Sequence, residues 1–130
     1  MSFEVWFARF SHGAAQRFPY ACILEAFAGC KIERDDTRSA TLRFPDGEHC
    51  ELYAEDSPEI YGLMLARPPY IPSCWRGLFR LMQLAHGTVY WPGGSAVADP
   101  AVIPHLPEDF VTPLVVVQTP EDLVEAIRRS

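Results

Sequence analysis

Thr41-Leu42-Arg43-Phe44-Pro45-Asp46-Gly47-Glu48-His49-Cys50-Glu51-Leu52-Tyr53 alternates apolar and polar residues on both sides of a Pro-Asp-Gly turn. Successive side chains of a strand point to opposite faces, so Leu42 and Phe44 share one face while Thr41 and Arg43 take the other. After the turn, Cys50 and Leu52 oppose Glu51 and Tyr53 in the same way. Proline presets φ, aspartate bonds to its own backbone and glycine accepts positive φ, which makes Pro45-Asp46-Gly47 a strong turn signal. The stretch is therefore a β-hairpin with one face buried, the signature of an antiparallel sheet.

Towards the N-terminus, Cys30–Arg34 adds a strand before the hairpin. Glu4–Phe10 is rich in aromatic and β-branched residues and closes at Ser11-His12-Gly13, which predicts a strand and a turn. Between them Tyr20, Ile23, Leu24 and Phe27 recur at helical spacing, with Pro19 at a first helical position and Gly29 at a C′ position. This predicts a helix over 19–28. Towards the C-terminus, Ile60–Arg67 reads as a strand ended by Pro68-Pro69. Ser73 serves as an N-cap ahead of Trp75, Leu78, Phe79 and Met82, and Gly87 closes a helix over 73–86 whose outer face carries Arg76, Arg80 and Gln83. Thr88–Trp91 is a short strand, 95–112 a loop holding a short helical turn, and Leu114–Gln118 a run of buried-strand type.

The last element has the fullest set of signals. Thr119 is an N-cap, Pro120 stands at N1, Asp122 completes a capping-box pattern, and Arg128 and Arg129 complement the negative end of the helix dipole. The predicted order, β-α-β-β-β-β-α-β-β-α, favours an α+β fold. It predicts one domain over 1–130, with a mostly antiparallel sheet of five to six strands and about three helices packed against it.

Eleven basic and seventeen acidic residues leave a net charge of −6, which argues against a nucleic-acid binder, because phosphate neutralisation demands clustered Lys and Arg. No apolar run approaches the roughly 20 residues of a membrane span, and Met1-Ser2-Phe3-Glu4 has no basic n-region. Nucleic acid and membrane are set aside as partners, and a soluble cytoplasmic protein is expected. Cys22, Cys30, Cys50 and Cys74 are separated by 8, 20 and 24 residues, which matches no zinc-ribbon or C-x-x-C pattern. Reduced thiols packed as small hydrophobes are the expectation.

Catalytic patterns are sparse. Gly93-Gly94-Ser95 lacks the strand, elbow and helix of a nucleophile motif, and no periodic helix follows it to cradle a phosphate. His49 and Glu51 share a face of the hairpin, but two ligands fall short of the three or four of a zinc site. Glu48 and Glu51 are close in sequence, with nothing to constrain them as an acid–base pair. No catalytic residue, metal or cofactor is predicted, and the chain reads as a non-enzyme.

Charge distribution leans towards a function. Between Arg43 and Arg67 stand six carboxylates and no base: Asp46, Glu48, Glu51, Glu55, Asp56 and Glu59. From Ile60 to Ala98 the balance inverts, with Arg67, Arg76 and Arg80 and no acid. Such blocks set up opposed surface potentials that steer a charged partner to one face. Glu51 and Tyr53, projecting together, add an aromatic of the kind enriched at interfaces.

Four segments carry a resemblance: Met1-Ser2-Phe3-Glu4-Val5, Phe44-Pro45-Asp46-Gly47-Glu48, Arg67-Pro68-Pro69 and Tyr90-Trp91-Pro92-Gly93-Gly94. In them the chain resembles a family of small, uncharacterised bacterial proteins. These motifs are turns and strand ends, so they transfer no catalytic residue. In size, acidity and α+β character the chain also resembles, more loosely, immunity proteins that neutralise bacterial toxins. That resemblance implies a binding role. The leading expectation is blockade of a basic protein partner, most concretely a toxin domain, through Asp46, Glu48, Glu51, Tyr53, Glu55 and Asp56. The alternatives are an anionic-ligand binder or minor enzyme using Arg67, Arg76 and Arg80, and a subunit that oligomerises through a sheet edge.

Overall fold

The computed structural model describes residues 3–130; Met1 and Ser2, which carry part of the family resemblance, lie outside the described residues. The chain begins with β1 (Glu4–Ser11), β2 (Ala14–Gln16), β3 (Phe18–Pro19) and α1 (Ala21–Ala26). It continues through β4 (Lys31–Arg34), β5 (Ser39–Arg43), β6 (His49–Tyr53), β7 (Glu59–Ile60) and β8 (Gly62–Ala66). Then come α2 (Pro72–Ala85), β9 (Thr88–Trp91), β10 (Gly94–Val97), a 3-10 helix (Pro100–His105), β11 (Leu114–Val116) and α3 (Pro120–Arg129).

The deciding hairpin forms in the expected phase. β5 and β6 pair antiparallel with Thr41 opposite Glu51 and Leu42 opposite Cys50. Phe44 N–H donates to Glu48 O at 2.8 Å and Gly47 N–H to Phe44 O at 3.0 Å, closing the turn. Gly47 has φ 95°, a conformation glycine reaches without the Cβ penalty. From this hairpin the main sheet spreads in the order β11-β10-β9-β1-β8-β6-β5-β4, with β2 attached to β1, and β3 pairs separately with β7.

The α+β class and the mostly antiparallel sheet stand; the counts need correction. The main sheet has nine strands where five to six are expected, and a 3-10 helix joins the three α-helices. β11 runs parallel to β10. Sequence alone predicts a loop over 95–112, but the chain turns back at Pro92-Gly93 and pairs Gly94–Val97 with β9. Gly-Ser-Ala is poor strand material by propensity. It is wholly buried here between α3 and the 3-10 helix, so tertiary packing decides. The predicted strand 60–67 divides into β7 and β8, and the one at 114–118 ends at Val116.

Two helix starts also move. Pro19 is held in β3 opposite Glu59 and Tyr20 N–H donates to Pro58 O at 2.9 Å, so α1 begins only at Ala21. It ends at Ala26, short of the predicted Ala28. In α2 the N-cap is Ile71, extended at φ −121°, and Ser73 lies inside the helix. A residue before proline is pushed out of the α region and proline suits N1, so the N-cap falls two residues earlier than Ser73. α3 matches its prediction throughout: Thr119 Oγ1 accepts from Asp122 N–H at 3.1 Å, and Asp122 Oδ2 accepts from Thr119 N–H at 3.2 Å.

All three α-helices bury residues in one hydrophobic core with one side of the sheet. Val5 and Phe7 of β1, Leu63 and Leu65 of β8, Leu42, Cys50 and Leu52 of the hairpin and Val89 of β9 supply that side. Ile23, Trp75, Leu78, Met82, Leu123 and Ile127 supply the helices. Among the described residues no helix is long and apolar enough to cross a membrane.

Candidate functional site

Among the described residues no α-helix packs on the other side of the sheet, and the 3-10 helix reaches it at β10 and the end of β1. Register fixes what it displays, because residues opposite one another project to the same face. Trp6 stands opposite Met64, Met64 opposite Tyr53 and Tyr53 opposite Ser39, forming one row. Two residues along, Glu4, Ala66, Glu51, Thr41 and Glu33 form the next row. Strands are about 4.8 Å apart, so Trp6 to Tyr53 spans about 10 Å of continuous apolar surface beside a line of carboxylates. Trp6 stacks on Tyr90 at 5.8 Å, and Tyr90 and Phe10 both pack edge-on against Phe110 at 5.2 Å. Segment 98–113 thereby covers the β9–β10 end of the face and leaves Trp6, Met64 and Tyr53 at its margin. Tyr53 remains 42% exposed.

The acidic row is not wholly free. Arg43 pairs with Glu33 at 2.9 Å, and Glu51 accepts a hydrogen bond from Thr41 Oγ1 at 3.3 Å. A third row of Lys31, Arg43 and His49 lies beyond it. Among the described residues Glu4 and Glu51 are without an ion pair.

The six expected contact residues divide into three places. Glu51 and Tyr53 project from the open face. Asp46 and Glu48 sit at the hairpin tip, where Asp46 Oδ1 accepts from Glu48 N–H at 3.1 Å. Glu55 and Asp56 follow β6 at its far end, tied down through Asp56 N–H to Thr37 O at 2.9 Å. The acidic block is thus spread along the full length of β6. Glu4, Trp6, Met64 and Tyr90 join Glu51 and Tyr53 only through the β1–β8–β6 and β1–β9 pairings. The alternation of Val5 and Phe7 with Trp6 and Ala8 was the available signal, but alternation does not say which phase meets the helices.

Arg67, Arg76 and Arg80 do not form one cluster. Arg67 follows β8 with φ 54°, and its N–H donates to Phe3 O at 3.0 Å. Arg80, one turn along α2 from Arg76, is paired with Glu25 at 3.3 Å. Of the three, Arg76 alone lines the cleft between α2 and α3, where Arg128 joins it.

Sequence gave no reason to join His12 to His105, yet they meet. His12 N–H donates to His105 Nδ1 at 3.2 Å, Gly13 N–H donates to His105 O at 2.9 Å, and the rings cross edge-on at 4.9 Å. The contact ties the β1–β2 turn to the 3-10 helix.

The four cysteines are free. Burial raises every thiol above its ordinary value, with Cys50 pushed up to about 12. A nucleophilic thiol needs the opposite shift, so these behave as packing groups. Among the described residues no three His, Cys, Asp or Glu converge on a point that would hold a metal ion. No protein-family model, curated protein or solved structure matches this chain.

Proposed function

We propose that this chain is a non-enzymatic binding protein whose uncovered sheet face occupies a basic surface of a protein partner. Toxin neutralisation by an immunity protein is the most concrete form. The supporting observation is the pairing of two rows on one face: Trp6, Met64 and Tyr53 beside Glu4 and Glu51. Aromatic side chains supply rigid contact area and are the residues most often found at binding hot spots. The adjoining carboxylates, with Asp46 and Glu48 at the tip and Glu55 and Asp56 at the other end, steer a positive partner and set its orientation. The net charge of −6 acts in the same direction. Blockade of this kind is steric and electrostatic, and requires no reacting group.

The test is photo-crosslinking in cells that natively make the protein, with a benzophenone amino acid at position 53 or, for comparison, at position 80 on the helix side. A basic protein captured from 53 and not from 80 is expected. Its association should slow in the Glu48→Gln, Glu51→Gln, Glu55→Gln variant, and should weaken as salt shortens the Debye length from about 10 Å to about 3 Å. Capture of an acidic partner, or binding indifferent to both salt and the carboxylates, refutes the proposal.

A further inference from the structure

A second surface lies on the helix side, between α2 and α3. Here a cleft of about 340 Å³ is walled by Tyr70 and Trp75, whose rings lie 5.7 Å apart, and edged by Arg76 of α2 and Arg128 of α3. Small-molecule sites run from about 300 to 1,000 Å³ and combine apolar walls with a few convergent polar groups, which matches this cleft at the small end.

The charges decide what it would take. Four ionised side chains line it: Arg76, Arg128, Glu121 and Glu125. Glu125 is already paired with Arg129 at 2.7 Å. Glu121 stands in the first turn of α3, where the positive end of the helix dipole favours a carboxylate. Arg128 is held over the Tyr70 ring at 5.3 Å, and among the described residues neither it nor Arg76 has a carboxylate partner. A guanidinium on an aromatic face keeps its in-plane N–H donors available, and such donors match a carboxylate in geometry. Two unpaired guanidinium groups against one remaining carboxylate leave a single positive charge beside an aromatic wall.

We infer that the α2–α3 cleft binds a small amphipathic monocarboxylate, its carboxylate between Arg76 and Arg128 and its apolar body against Tyr70 and Trp75. This replaces the trio of Arg67, Arg76 and Arg80 with a pair that shares one cavity. It is independent of the sheet-face proposal, because the cleft and the uncovered face lie on opposite sides of the sheet.

The probe is 3-phenylpropionate, followed by calorimetry and by the Trp75 indole resonance, with 3-phenylpropanol and 3-phenylpropylamine as neutral and cationic counterparts. Saturable binding of the acid, with a shifted Trp75 signal, is expected. Arg76→Gln and Arg128→Gln should each weaken it about tenfold, while Arg80→Gln leaves it unchanged. Both substituted arginines are exposed, so the variants should keep the native amide spectrum. No saturable shift up to about 10 mM, equal binding of the alcohol or amine, or full affinity in Arg76→Gln overturns the inference.

Discussion

Gly77 sits in the interior of α2, where an alanine would ordinarily be the better residue by about 1 kcal/mol. The structure supplies the reason it is glycine. A Cβ built there would lie 2.1 Å from Phe27 Cε1, 2.4 Å from Cδ1 and 2.8 Å from Cζ, all well inside contact distance. Phe27 follows α1 and is 3% exposed, so its ring has no open space to swing into. Overpacking of a tight core costs about 1–3 kcal/mol. Setting this against the propensity gain, Gly77→Ala should destabilise by about 0–2 kcal/mol. At roughly 3–5 °C per kcal/mol for a chain this size, the melting temperature should fall by a few degrees. Because the single variant sums two opposed effects, the decisive experiment is a double-mutant cycle. Phe27→Leu removes Cε1 and Cζ, two of the three close atoms. In that background Gly77→Ala should stabilise by about 1 kcal/mol, the helix-propensity gain alone, giving a coupling of about 1–3 kcal/mol. Urea unfolding followed by tryptophan fluorescence measures all four corners. Additive effects, or a Gly77→Ala that stabilises with Phe27 intact, would refute the packing of the ring on this glycine.

Two further outcomes follow from titratable groups. In native protein near pH 8, Cys50 and Cys74 should resist a thiol reagent and react only as the chain unfolds, since both are buried and their thiols are pushed up; rapid native reaction of all four cysteines contradicts this. Asp36 accepts from the N–H groups of Arg38 and Ser39, each at 2.8 Å, and these bonds hold its carboxyl below the ordinary range. A depressed folded pKa means the stabilisation is complete above the unfolded value of about 3.9 and is lost as pH falls through the folded one. The Arg38 and Ser39 amide resonances should therefore titrate with a midpoint below about 3.9, and a midpoint at or above it rejects the assignment.

Legibility tracked how local the deciding physics was. The hairpin at Pro45-Asp46-Gly47 and the capping box at Thr119 and Asp122 are settled within a few residues, and both form as read. α1 was read too long because Pro19 is also a good strand-end residue, and only pairing with Glu59 decides between the two roles. β10 was missed because Gly94-Ser95-Ala96 has little strand propensity; Gly94 fits against Trp91 and Pro113, whose atoms would lie 3.0 Å from a Cβ built on it. For the candidate site, Glu51 and Tyr53 were legible from alternation alone. Glu4 and Trp6 were not, because their place beside Tyr53 depends on β1 pairing with β8, about 60 residues along the chain, and Met64 was not, because its place depends on β6 pairing with β8.

The uncovered face and the core are written into the same strands in opposite phase. Val5 and Phe7 face the helices, so Trp6 must face away, and a one-residue slip of β1 would exchange the two sets and bury Glu4. That coupling explains why β1 keeps its register, but not why the outward phase holds tryptophan. A sheet face exposed to water is served by threonine or lysine, as at Thr41 and Lys31, and gains nothing in solubility from Trp6, Met64 and Tyr53. Contiguous apolar surface rimmed by polar residues is the arrangement found where another molecule sits. The stacking of Trp6 on Tyr90 stiffens the row on the side of segment 98–113, while Tyr53 at the other end stays exposed and within reach of Glu51. The row is thus anchored at one end and open at the other, which supports contact from the β6 side, where the carboxylates stand.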